Sequence, residues 1–214
     1  MKNNPTGAEM SIILRPDADA YVVGCCLNAL CSQTYTNWQA LILDRGEHPE
    51  VSAVCRNYAA LDRRICCETD DSSQLICKLT GSWVLLLGGR DCLAPRTLEQ
   101  LTELARESGR QLVACDVQDA DFGCPGSLGA RHYGMERGIW RRWSVHRQSR
   151  KSALDRSFLN DCTAKLYSRK MLSLVLGDRS ASGFWLDRYY ARCNGAAFTG
   201  RVGVYRHRKM NSAD

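Results

Sequence analysis

No stretch of this 214-residue chain is apolar enough to cross a membrane. The longest strongly apolar run is Val84 to Leu87, far short of the roughly 20 residues that a spanning helix needs. The opening segment, MKNNPTGAEMSIIL, lacks the apolar centre of a secretory signal. Both absences point to the cytosol. No internal repeat and no low-complexity tract is present, which argues against solenoid and disordered classes. No two cysteines are spaced C-x-x-C, which removes the usual half-site of a structural zinc.

Cysteine itself is plentiful, at twelve residues. A disulfide framework is not implied in a chain of this length without an export signal. Cys25, Cys26, Cys66, Cys67, Cys77 and Cys115 lie inside apolar segments. They read as free thiols that pack like small apolar side chains. Hydrophobic residues make up 44% and charged ones 24%, enough for a sizeable core in a globular domain.

Charge is unevenly placed. Between Arg131 and Lys151 seven basic side chains stand against Glu136 alone, so this segment carries +6, as much as the whole chain. Such a segment suits an anionic partner, and a solvated loop is the plain alternative. With Trp140 and Trp143 interleaved it also has the composition for an anionic membrane surface at the inner face of the membrane. Nucleic acid is a further alternative, without any recognised nucleic-acid motif to carry it.

Strand and helix patterns alternate. Ser11 to Leu14 reads as a strand, and Ala18 to Ser32 as a helix with Val23, Leu27 and Leu30 on one face. Asn37 to Asp44 is a second strand, followed by a helix over Glu50 to Leu61. Further strands fall at Arg64 to Glu68, at Trp83 to Leu87 and at Gln111 to Val117. Helices are expected at Ser72 to Thr80 and Arg96 to Glu107. This alternation means an α/β fold, a mostly parallel sheet with helices on both faces. Ligands of such sheets bind beyond the carboxyl ends of the strands. Three turns lie there: Arg15-Pro16-Asp17, Asp44-Arg45-Gly46-Glu47 and Gly88-Gly89-Arg90-Asp91. From Asp119 to Ser157 periodicity is lost, which reads as one long loop. The spacing then predicts order from Cys162 to Leu176, a helix over Phe184 to Cys193, and one or two closing strands.

The order of these motifs resembles the family 2 glycosyltransferases, enzymes of the Rossmann-like GT-A fold. SIIL, CLNALCSQTYTNWQALILD, TGSWVLLL with DCLAP, LYSRKMLSLVLG and VGVYRHR match the family's landmarks in order. The resemblance implies one domain over 1–214: a nucleotide-binding half at 11–117, a basic loop at 118–160 and an acceptor-side half at 161–208. It implies a nucleotide diphosphate sugar as donor, with Asp44 on the base and Gly46 keeping the turn. A divalent ion (Mg or Mn) is the family's usual cofactor. The family's paired metal-binding acids, however, correspond here to Gly88 and Arg90. Its late Glu-Asp pair, the usual base, would fall near Ser182 to Phe184, where no carboxylate stands.

These departures change the expected chemistry. Glycosyl transfer needs the leaving diphosphate neutralised and a proton removed from the acceptor. Arg90 repels a cation but can grip a phosphate through two hydrogen bonds. Gly88 and Gly89 would let backbone approach the phosphates. Asp91, Asp187 and Glu47 are then the carboxylates left for catalysis, with Asp91 nearest the candidate centre, although Asp91 can equally cap the next helix. No metal is expected. The readings are a metal-independent transferase and a catalytically silent GT-A scaffold that binds a partner.

Overall fold

The computed structural model describes residues 8–69, 78–122, 128–134, 136–141, 161–178 and 185–208. Strand β1 (Met10–Arg15) is buried through Leu14, and β2 (Trp38–Leu43) is buried throughout. Unbroken apolar runs of this kind belong to strands covered on both faces. Around them stand β3 (Ile65–Glu68), β4 (Trp83–Gly88), β5 (Asp91–Leu93) and β6 (Leu112–Ala120). The sheet is completed by β7 (Leu128–Arg131), β8 (Gly138–Arg141), β9 (Lys165–Ser168) and β10 (Gly195–His207). The order across the sheet is β3-β2-β1-β4-β9-β6-β10-β5, with β7 on β6 and β8 on β10. β1, β2, β3, β4, β6 and β10 all run in one direction. The expected α/β architecture is thus present, as a mixed sheet with its long strands parallel.

Helix α1 (Ala20–Cys31) joins β1 to β2, and α2 (Pro49–Leu61) joins β2 to β3. Both crossovers step the same way, so right-handed connection puts both helices on one face, where they pack together. Asp19 caps α1 by accepting the Val22 N–H at 3.0 Å. From β4 the chain moves the other way across the sheet to β6, and the same rule puts α3 (Thr97–Ser108) on the opposite face. Two short helices, α4 (Arg169–Gly177) and α5 (Trp185–Arg192), pack on each other.

Two landmarks of the sequence meet in space. Gln33 donates to the carbonyls of Ala29 at 3.1 Å and Ala94 at 2.7 Å, and accepts the Leu98 N–H at 3.1 Å. The Thr34 N–H reaches the Pro95 carbonyl at 3.1 Å. One buried glutamine therefore satisfies backbone groups of both turns, which explains why those residue types stand 61 positions apart.

Several local expectations shift. The 119–157 region is not all loop: it contains β7, a short and mostly exposed strand, and β8, a strand of four residues. Asp91 lies in β5 and caps nothing, since α3 starts at Thr97 with Arg96 as an N-cap that makes no side-chain bond. β10 is one strand carrying two register shifts. The helix expected from Ser72 falls outside the described residues except at its end. No helix among the described residues is long and apolar enough to cross a membrane.

Candidate functional site

The strand order reverses at β1, which has β2 on one side and β4 on the other. A cleft opens at that point, beyond the carboxyl ends of β1 and β2, as sheet topology requires. It holds about 200 Å³ and opens to solvent, and its polar lining is Arg15, Asp17, Asp44, Arg45, Glu47 and His48. Asp44 accepts the Gly46 N–H at 2.9 Å and the Ser52 hydroxyl at 3.0 Å. The chain can turn back there because Gly46 sits at φ +74°. Asp44 therefore shapes the cleft wall and presents an edge to it.

The Gly88–Asp91 turn packs against that wall. Arg15 stands opposite Gly88 in the sheet. The Gly89 N–H donates to Asp17 Oδ1 at 2.6 Å, and the Gly88 N–H to Asp91 Oδ2 at 3.0 Å. Both amides are already engaged by carboxylates of the protein. A Cβ on Gly89 would lie 2.8 Å from the Asp17 nitrogen and 3.0 Å from Pro16 Cα. Backbone stands on both sides of that contact, so Gly89→Ala must displace one strand end. We expect a loss of about 1–3 kcal/mol in urea unfolding, the range of overpacking changes. An unchanged midpoint would show that the turn yields freely.

Arg90 is half-buried, and its carbonyl takes the His207 N–H at 2.9 Å. Its Nε–H is buried and has no hydrogen-bond partner among the described residues. The Nε–H of Arg110 is in the same condition, and a buried donor left unpaired costs about 1–3 kcal/mol.

Asp91 is 2% exposed. Arg206 clamps it, with Nε 2.6 Å from Oδ1 and Nη2 3.4 Å from Oδ2. The same guanidinium reaches Asp161 through Nη1 at 2.9 Å and also bonds the Thr163 hydroxyl. The Tyr133 hydroxyl donates to Asp161 Oδ2 at 2.8 Å. Lys165, fully buried, donates to the Asp161 carbonyl and stands 5.1 Å from the centre of the Tyr133 ring. Burial pushes the Asp161 carboxyl up, but Lys165 and Arg206 outweigh it and hold its pKa down at about 2. Burial pulls Lys165 down to about 8 against the pull of Asp161. Burial alone would lower Arg206 too; Asp91 and Asp161 more than offset it and keep the guanidinium charged.

Asp187 is exposed in the first turn of α5 and does not line the cleft. Tyr189 anchors that helix by donating to the Gln111 carbonyl at 2.5 Å and accepting the Ser168 N–H at 2.9 Å, beside the amino end of β6. Asp44 thus lines the cleft, and Gly46 makes the turn beside it; Gly88 and Gly89 support the wall; Asp91 is buried, and neither it nor Arg90 is part of the lining. Asp17, in the first of the three strand-end turns, lines the cleft and holds the Gly89 amide. Asp161 and Arg206 carry no local signal, since their partners lie 45 and 115 residues away in sequence.

A divalent ion does not fit these residues. Gly88 offers no ligand, Arg90 repels a cation, and the Asp91 carboxylate is taken by Arg206. Among the described residues no group of three or more His, Cys, Asp or Glu has the geometry to hold a metal.

Of the basic segment, Arg131 is spent on the buried Asp116 at 2.6 Å and Arg137 stands 3.4 Å from Glu107. Asp116 also accepts the N–H groups of Val117, Tyr133 and Gly134. Residues 142–151 lie outside the described residues.

No protein-family pattern and no curated protein matches the sequence. Solved structures do match. S. aureus TarS 1-349 in complex with UDP-GlcNAc superposes with a TM-score of 0.70 at 12% identity, over 95% of this chain and 60% of that one. Its complex with UDP gives 0.69 at 12%, over 94% and 60%. The fold is that of the GT-A glycosyltransferases. The GT-A mannosyltransferase PcManGT from Pyrobaculum calidifontis, solved with GDP-Man and Mn2+, gives 0.58 at 11%, over 96% of this chain and 58% of that one. The chain therefore spans about 60% of the length of these GT-A chains.

Proposed function

We propose that the cleft takes a nucleotide diphosphate sugar, that Arg90 rather than a divalent ion neutralises the diphosphate, and that the domain binds this donor without transferring the sugar efficiently. The observation that carries the reading is the place of Arg90: it does not itself line the cleft, but it follows Gly89, whose amide bonds the cleft-lining Asp17, and its buried Nε–H has no partner among the described residues. The solved structures with UDP, UDP-GlcNAc and GDP-Man support the ligand class. Asp44 and Gly46 serve the base side. A guanidinium gives phosphate a paired, charge-assisted grip and needs no metal.

Weak catalysis follows from the carboxylates. A general base must stand within hydrogen-bond reach of the proton it takes. Asp91 is held by Arg206, Asp187 lies off the cleft lining, and Glu47, which does line the cleft, stands beside Asp44 on the base side rather than at the Gly88–Asp91 turn. The domain acts as a donor-binding scaffold, single over residues 1–214, with the transferase reading kept for a base that only the acceptor complex would reveal.

Calorimetric titration with UDP, GDP and their sugar derivatives, with and without Mn2+, tests this. Arg90→Ala should weaken diphosphate binding by about 1.5–3 kcal/mol, or roughly 10- to 150-fold. Nucleotide release from the donor sugar should stay at the uncatalysed rate. A tenfold gain in wild-type affinity on adding Mn2+ overturns the metal-free reading.

A further inference from the structure

We infer that Arg206 is the resident cation of this site: it occupies the place between Asp91 and Asp161 where two carboxylates would otherwise attract a divalent ion. The inference deepens the metal-free reading of the cleft and rests on it only for its functional meaning.

One buried carboxylate and one part-buried carboxylate converge on one guanidinium. Asp91 Oδ1 is 2.6 Å from Nε, and Asp161 Oδ2 is 2.9 Å from Nη1. The Thr163 hydroxyl supplies a third oxygen to the same group. Oxygen donors of this kind, two of them anionic, are what a hard cation selects. Without a positive charge between them they would be strongly unfavourable in a buried setting. Arg206 fills that need with a covalently tethered charge, from a strand that pairs directly with β5, Arg206 standing opposite Asp91.

The consequence reaches the cleft through short steps. Arg206 fixes Asp91, Asp91 Oδ2 holds the Gly88 N–H, and the next residues are Gly89 and Arg90. The residue acts as a positioning group for the turn. It explains how one acid of the motif persists although Gly88 and Arg90 have replaced its companions: Asp91 serves an internal arginine. Lys165 and Tyr133 close the far side of Asp161, so the cation is enclosed by protein on both ends.

The test uses Mn2+ alone, read by the loss of its free electron paramagnetic resonance signal and by the shift in thermal midpoint. Wild-type protein should show no binding that depends on Asp91. Arg206→Ala, and Arg206→Gln as the variant closer in size, should bind one Mn2+ at least tenfold more tightly than wild type and gain thermal stability from it. Adding Asp91→Asn to either variant should abolish that gain. Equal Mn2+ affinity in wild type and both variants overturns the inference, as does wild-type binding that Asp91→Asn removes; the latter reading does not require an Arg206 variant to fold. No nucleotide is present, so failure here is separable from failure of the donor-binding proposal.

Discussion

Asp91→Ala is expected to lower the stability of the folded protein by about 3–5 kcal/mol, the usual cost of removing one partner of a buried ion pair. Asp91 is 2% exposed and bonds both Arg206 and the Gly88 amide. Its loss leaves a guanidinium that is charged and largely enclosed, facing Asp161 alone. Asp91→Asn should cost less, because it keeps an acceptor for the Gly88 N–H. The paired change Asp91→Asn with Arg206→Gln should cost less than the sum of its singles, since it removes both charges at once. Urea unfolding of the wild type and these variants measures this. A drop near zero for Asp91→Ala would mean that the carboxylate is not the anchor described, and would restore it as a candidate base.

The sequence carried the scaffold clearly and the site poorly, for physical reasons visible in particular residues. β1, β2 and β4 are read from apolar runs because burial on both faces imposes a composition. Gln33 and Pro95 are read because their turns constrain residue type. The cleft wall at Asp44 is legible too, since it falls at a strand end next to Gly46. What cannot be read locally is the pairing across the sheet. Nothing around Arg206 tells that it will stand opposite Asp91, 115 positions earlier. β9 runs antiparallel between β4 and β6, and it brings Asp161 and Lys165 to the same place. Its four residues, Lys165–Ser168, give too short a pattern to show direction. β7 is hidden because an exposed strand needs no apolar alternation, and the four residues of β8 are too few to show a pattern.

Alkaline pH should expose the cysteine content of this core. Burial holds Cys115 protonated up to about 12, against 9.0 for a free thiol. Burial likewise pushes up Cys55, to about 12, and raises Cys31 and Cys162. Cys26 is raised first by its contact with Cys92, whose sulfur lies 3.5 Å away. Each of these thiols ionises in the unfolded chain before it does in the folded one. The folded state then binds more protons, so stability is full below pH 9 and falls as pH rises through the folded pKa. For Cys115 alone the interval from 9.0 to about 12 corresponds to about 4 kcal/mol. Lys165 acts with the opposite sign. Its folded pKa of about 8 lies below the ordinary 10.5, so from pH 8 to 10.5 the unfolded chain binds more protons and stability rises, by about 3 kcal/mol in all. Several thiols against one amine give a crest between pH 8 and 9 and a steep fall above it. Urea midpoints from pH 7 to 11 in reducing buffer should trace that profile. Cys115→Ala should make the alkaline fall shallower. Lys165→Met should remove the rise between pH 8 and 9 and make the alkaline fall steeper. A midpoint that climbs steadily from pH 9 to 11 in the wild type would show that the buried thiols do not hold their protons in the folded core.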